Sequence, residues 1–361
     1  MGSGGPGAAA EPGPRPDWSA GWPDGTAEVF LDSYVVGTGV ALALVATALN
    51  GYNDSGNVVA TMISSGAMTP RRALFLAAAA EFVGPFAFGS AVAAAVGPGI
   101  VNPGAIGSQD VLVALLATNV WAVGAWYLGL PTSASHALIG SLVGAVVVSL
   151  GPGGVRASGL GWIVLALLLA PPLGLAASYG LMKLTLLLAK GATPAINLFF
   201  KRAQVAASVA LALSHGANNA QKWMGAIALL LVTAGRLPEF AVPLWAVIAC
   251  AGCFALGTAA GGWRVMKTLG MRMYRIRPVH GFAAQISSTA IILAASLAGA
   301  PVSTTHIVGP AIVGAGAAER LSKVRWGTAG AILVAWGITL PGAALTAAAL
   351  HVGLAWLPGP G

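Results

Sequence analysis

ALNGYNDSGNVV, residues 48–59, places Asn50, Asn53, Asp54 and Asn57 in a stretch that is otherwise apolar. VVGTGVALALVAT (35–47) precedes it and VVATMI (58–63) follows, with no charge in either. An Asp at the centre of a membrane-spanning helix costs about +2.5 to +3.5 kcal/mol on insertion scales. The stretch must therefore be buried against protein or line a cavity. With Ser55 in the run and Gly51 and Gly56 flanking Asp54, we expect an unwound or sharply broken helix here. Carboxylate and amide oxygens ligate small hard cations such as Na+, and a carboxylate also takes H+. The Asn residues could instead serve helix–helix hydrogen bonds.

The rest of the chain sets the context. Of 361 residues, 57% are hydrophobic and 8% charged, whereas a soluble domain carries about 25% charged residues. Apolar runs of the roughly 17–25 residues that a spanning helix needs recur along the sequence. These fall near 33–66, 73–96, 110–130, 132–150, 160–182, 203–235, 240–260, 280–300, 301–318 and 328–355. The expected fold is an all-α polytopic membrane protein of about 10–12 segments, with broken helices and re-entrant hairpins. Residues 1–32 read as a disordered tail rich in Gly, Pro and Ala. Cys250 and Cys253 read as small core residues and not as a redox pair.

The net charge of +8 does not point to nucleic acid, because the charges sit in loops. Clusters at Arg71–Arg72, Lys183–Arg202, Arg264–Arg277 and Arg320–Arg325 hold 14 of the 18 basic residues. If each segment crosses once, all four lie on one side. That side is cytoplasmic by the positive-inside rule, which places the N-terminal tail outside.

The opening stretch has a second copy. ALSHGANNAQK (212–222) aligns with ALNGYNDSGN so that Asn218 and Asn219 match Asn53 and Asp54, 165 residues earlier. GLPTSASHALIGSLVGA (129–145) and GAPVSTTHIVGPAIVGA (299–315) form another pair, 170 residues apart. Five segments separate the start of one copy from the start of the other, so the copies cross in opposite directions, as in inverted-repeat transporters. The chain then divides into a first repeat (33–150), a linking helix and basic loop (151–202), a second repeat (203–325) and a terminal helix (326–361).

Several residues in these copies can carry chemistry. Thr132, Ser133, Ser135 and His136, like Ser303, Thr304, Thr305 and His306, follow a Pro and open an apolar run. Hydroxyls at a helix N-terminus, with its free N–H groups, suit an oxyanion, though simple capping is the plainer role. Lys222 needs a counter-charge unless it snorkels to an interface marked by Trp223. Glu81 is a partner to a buried polar group or a proton site. Gln285 and Ser288 open a late helix, His280 reads as a cytoplasmic surface residue, and His351 has no evident partner. His136, His215 and His306 could also form a metalloenzyme site, but no H-E-x-x-H spacing supports it.

With these motifs in order, the chain resembles the inorganic phosphate transporter (PiT) family. The resemblance rests on NGYNDSGNVVATMISSGAMTPRRALFLAAAAEFVG, GLPTSASHALIG, SHGANNAQKWMG, GFAAQISS and PVSTTHIVGPAIVGAGAAERLSKVRWG, over residues 35–350. It implies a symporter that imports phosphate, or its metal complex, with H+ or Na+, without a cofactor. It also implies an inner-membrane homodimer. The G-x-N-D-x-x-N signature maps onto Gly51, Asn53, Asp54 and Asn57, and the hairpins at 131–136 and 301–306 would contact phosphate. Asn50, Asn218, Asn219, Gln285 and Ser288 would complete the cation site. A sulfate permease of the same fold is the alternative. Family members usually carry Asp where this chain has Asn219.

Overall fold

The computed structural model describes residues 26–128, 132–261, 266, 276–324 and 326–355. Pro131 and most of the basic cluster at 264–277 lie outside the described residues. Eleven α-helices occupy them: α1 (Thr26–Ser64), α2 (Pro70–Ala87), α3 (Ala91–Val96), α4 (Ser108–Leu128), α5 (Ala134–Leu150) and α6 (Ala157–Leu188). The second half holds α7 (Ile196–Thr233), α8 (Leu244–Ala260), α9 (Pro278–Leu297), α10 (Thr304–Glu319) and α11 (Trp326–Ala355). Six of them, α1, α4, α6, α7, α9 and α11, are long and apolar enough to cross a membrane.

Local chemistry sets the ends. α1 stops where Gly66 turns to φ +70°, and α7 where Gly235 turns to φ +64°, a backbone region that costs other residues energy. Pro70 starts α2, at the first-turn position where its missing N–H costs nothing. The apolar run at 73–96 is not one segment but two, α2 and α3, parted at Gly89 (φ +69°). α1 also begins at Thr26, so residues 26–32 are helical and not part of a tail.

The expected break at 48–57 is absent: α1 runs unbroken through it, and α7 does so through 212–222. Asn50, Asp54 and Asn57 are spaced i, i+4, i+7 and share one helix face, as do His215, Asn219 and Lys222. Side-chain partners can therefore satisfy the polar groups while the backbone ladder stays intact. The chain is broken instead before α5 and α10, whose N-termini meet inside the protein.

Packing exchanges under interchange of the halves. α1 packs on α8 as α7 packs on α2, and α5 on α11 as α10 on α6. α1 and α7 pack on each other and run antiparallel. Arg236, just past the end of α7, bonds Ser33 at the start of α1, and Ser65 bonds Gln204 at the other end. A Cβ on Gly51 would overlap the carbonyl of Phe254, and one on Gly216 the carbonyl of Glu81, so both crossings need close backbone approach.

Two apolar cores result. One gathers Val58–Met62, α9 and α10, and the other Ala43, Ala46, α4, α5 and the end of α7. Between them lies a polar belt, residues 47–57 of α1 and 214–219 of α7.

Candidate functional site

The polar belt is closed from both sides by the short helices. Ser133 caps α5, accepting from the backbone N–H of His136 at 3.3 Å. The tips of α5 and α10 touch: Ser135 Oγ donates to the Val302 carbonyl at 3.1 Å, and the His136 and His306 rings lie 4.4 Å apart. The His136 and His306 N–H groups are held by Ser133 Oγ and the Ser303 carbonyl, and the N–H groups ahead of them in each first turn have no intrahelical acceptor. Two positive helix ends thus converge on one place.

Asp54 joins the belt to the α10 tip. Its Oδ1 accepts from Thr305 Oγ1 at 3.0 Å and its Oδ2 from Thr304 Oγ1 at 3.4 Å. Asn57 Nδ2 donates to the same Thr305 hydroxyl at 3.0 Å. The Asn50 amide, oriented to satisfy both of its groups, donates to Asp54 Oδ2 at 2.9 Å and accepts from Trp223 Nε1 at 3.2 Å. His215 stands behind the carboxylate. Its Nε2 is 3.9 Å from Asp54 Oδ2, and its Nδ1 is 2.7 Å from Glu81 Oε1, with both His215 and Glu81 fully buried.

Lys222 closes the other side. Its ammonium donates to Ser135 Oγ at 2.6 Å, Asn219 Oδ1 at 2.8 Å and the Val302 carbonyl at 2.6 Å. It is 1% exposed, and so is Trp223, so Lys222 does not snorkel and Trp223 marks no interface. Asn219 Nδ2 donates to Thr304 Oγ1 at 3.2 Å, while Asn218 Nδ2 ties α7 to Ser296 Oγ and the Ala300 carbonyl.

A sequence model described as "Phosphate transporter family" matches residues 50–195 and again 186–347. The chain belongs to this family. Within the family, it is 41% identical over 311 residues to "Probable low-affinity inorganic phosphate transporter" of Rhizobium meliloti, covering 86% of this chain and 93% of the relative. A Bacillus subtilis protein of the same description is 39% identical, covering 84% and 92%. A solved structure, "The sodium-dependent phosphate transporter", superposes with a TM-score of 0.80 at 26% identity, over 89% of this chain and 99% of that one. The phosphate transporter family comprises transporters and not enzymes, and this member is a multi-pass membrane protein. Among the described residues, no three His, Cys, Asp or Glu side chains are grouped to hold a metal ion.

Not every residue singled out in the sequence joins the cluster. Asn50, Asp54, Asn57, Asn219, Lys222, Ser135, Thr304 and Thr305 form one side-chain hydrogen-bonded network, with the His215–Glu81 pair behind it. Gln285 touches α1 one turn further on, at Thr61 Oγ1 (2.9 Å), and Ser288 is buried nearby on α9. Asn53 is half-buried and makes no side-chain hydrogen bond among the described residues. Thr132 is half-buried ahead of the α5 tip, and Ser303 is buried at the α10 cap position. His280 is not at the surface: it is buried at the start of α9, its Nε2 2.9 Å from Glu319 Oε2. His351 does have a partner, Asp110 Oδ1 at 2.9 Å.

Three groups had no signal that a sequence reader could use. The Val302 carbonyl is backbone, Trp223 resembled an interface marker, and Trp336 reaches the site only through tertiary packing. Trp336 stacks on His306 with ring centroids 3.8 Å apart.

Proposed function

We propose that this chain imports inorganic phosphate, free or as its metal complex, together with a cation. The anion is held between the tips of α5 and α10 by Ser133, Ser135, Thr304, Thr305 and the first-turn N–H groups. Convergent helix N-termini with hydroxyl donors suit a tetrahedral oxyanion. The coupling cation, H+ or Na+, is taken at Asp54. One observation carries the reading: the Asp54 carboxylate accepts from Thr304 and Thr305. Protonating Asp54 or ligating it with Na+ must rearrange the hydroxyls offered to phosphate, so the two ligands are linked thermodynamically.

Movement of one half against the other would alternate access to this site. The basic clusters support an inner-membrane orientation with the N-terminus outside. The transporter assembles as a homodimer, in keeping with the family that the chain resembles.

Uptake of labelled phosphate into proteoliposomes under separately imposed Na+ and pH gradients tests it, with sulfate as competitor. Asp54→Asn should lose gradient-driven accumulation; normal accumulation by this variant, or saturable sulfate uptake without phosphate uptake, refutes the proposal.

A further inference from the structure

The two copies of the polar face differ at each of their three shared positions: His215 replaces Asn50, Asn219 replaces Asp54 and Lys222 replaces Asn57. The last change alters what the site contains. Asn57 donates to the Thr305 hydroxyl at the α10 tip, and Lys222 donates to the corresponding Ser135 hydroxyl at the α5 tip. The two contacts are counterparts, but the longer Lys carries its charge to the end of the reach.

The ammonium ends among three oxygens, the Ser135 hydroxyl, the Asn219 amide oxygen and the Val302 carbonyl, at 2.6–2.8 Å. Neutral oxygens of these kinds replace the hydration shell of a monovalent cation in proteins. All three ammonium protons are used, and none of the three ligands is charged. A carboxylate at position 219 would neutralise this charge, whereas the Asn219 amide accepts from it and leaves the positive charge intact between the two helix tips.

We propose that Lys222 is a built-in cation. It fills the position that the internal symmetry makes available to a second ion, so the α7 half takes no cation from solution. Phosphate is then carried with a single external cation, taken at Asp54. The tethered ammonium meanwhile supplies a fixed countercharge for the anion, and no ion has to be gathered and ordered at that position. The inference rests on the reading of the chain as a cation-coupled phosphate transporter.

The co-ion count is measurable in proteoliposomes from the opposing phosphate and cation gradients at which net phosphate flux is zero. Wild type should give one cation per phosphate. Asn219→Asp combined with Lys222→Asn copies the Asp54/Asn57 pair into the second half and should give two. Lys222→Gln keeps the length without the charge, and its uptake should show a Hill coefficient for added cation rising from one towards two. A wild-type count of two or more, a double variant still at one, or an unchanged Hill coefficient overturns the proposal. If neither variant can be recovered folded, the wild-type count alone decides. No phosphate uptake by wild type under any gradient would sink the transport reading and this inference with it, whereas uptake with two co-ions sinks the inference alone.

Discussion

Thr305 carries more of the site than its size suggests. Its hydroxyl donates to Asp54 and accepts from Asn57, so one oxygen couples two α1 side chains to the tip of α10. Thr305→Val keeps the shape and leaves both partners buried without this contact, at about 1–3 kcal/mol for each such group. Since every 1.4 kcal/mol is tenfold, phosphate uptake should fall by about 30-fold or more, and Thr305→Ser should restore most of it. Uptake by Thr305→Val within about twofold of wild type would remove the hydroxyl from the coupling path. Glu81 calls for a different readout. Gln at this position keeps a hydrogen-bond partner for His215 Nδ1 but removes the carboxyl group behind the imidazole, whose Nε2 lies 3.9 Å from Asp54. Glu81→Gln should therefore lose gradient-driven accumulation while keeping phosphate–phosphate exchange; loss of both together would make Glu81 a structural residue only.

At the level of elements, the crossings of α1 with α8 and α7 with α2 are set by Gly51 and Gly216, each lying against a backbone carbonyl that cannot move aside. Gly216→Ala should cost about 1–3 kcal/mol of overpacking, read as a lowered melting temperature in detergent. Gly37, also on α1, has open space around it, so Gly37→Ala should be neutral or stabilise by about 0.5–1 kcal/mol through helix propensity. Equal effects at the two positions would mean that close approach does not set the crossing. The helices themselves were legible, because runs of Ala, Leu and Val between Gly, Pro and charged residues mark apolar segments whatever their partners. The density of Gly and Asn at 48–57 suggests a break, but the spacing of the polar residues does not. Asn50, Asp54 and Asn57 at i, i+4 and i+7 already describe one face of an intact helix. The cage around Lys222 was not legible, since one ligand is a backbone carbonyl 80 residues away on a different helix tip. The Asn219 substitution, by contrast, was visible as an anomaly in sequence and acquires a physical role only beside that ammonium.

Across the whole molecule, the antiparallel run of α1 and α7 makes a claim about sidedness. Ser65, after α1, contacts Gln204 near the start of α7, while Arg236, after α7, contacts Ser33 near the start of α1. The loop that joins α6 to α7 and the loop that joins α7 to α8 must therefore open on opposite faces of the membrane, because α7 is long and apolar enough to cross it. Thr193 and Glu239 are exposed in those two loops. The first loop is flanked by Lys183, Lys190, Lys201 and Arg202, and the orientation proposed above puts its face in the cytoplasm by the positive-inside rule. The start of α1 shares the other face with Glu239, which is the outer face in the orientation proposed above. In a background with Cys250 and Cys253 replaced by Ala, a membrane-impermeant thiol reagent should label Glu239→Cys in intact cells. It should label Thr193→Cys only after permeabilisation. Labelling of both positions from one side would break the antiparallel relation of α1 and α7, and the two copies of the polar face could not then be related by inversion. Reversed sidedness would leave that relation intact and overturn only the orientation drawn from the basic loops.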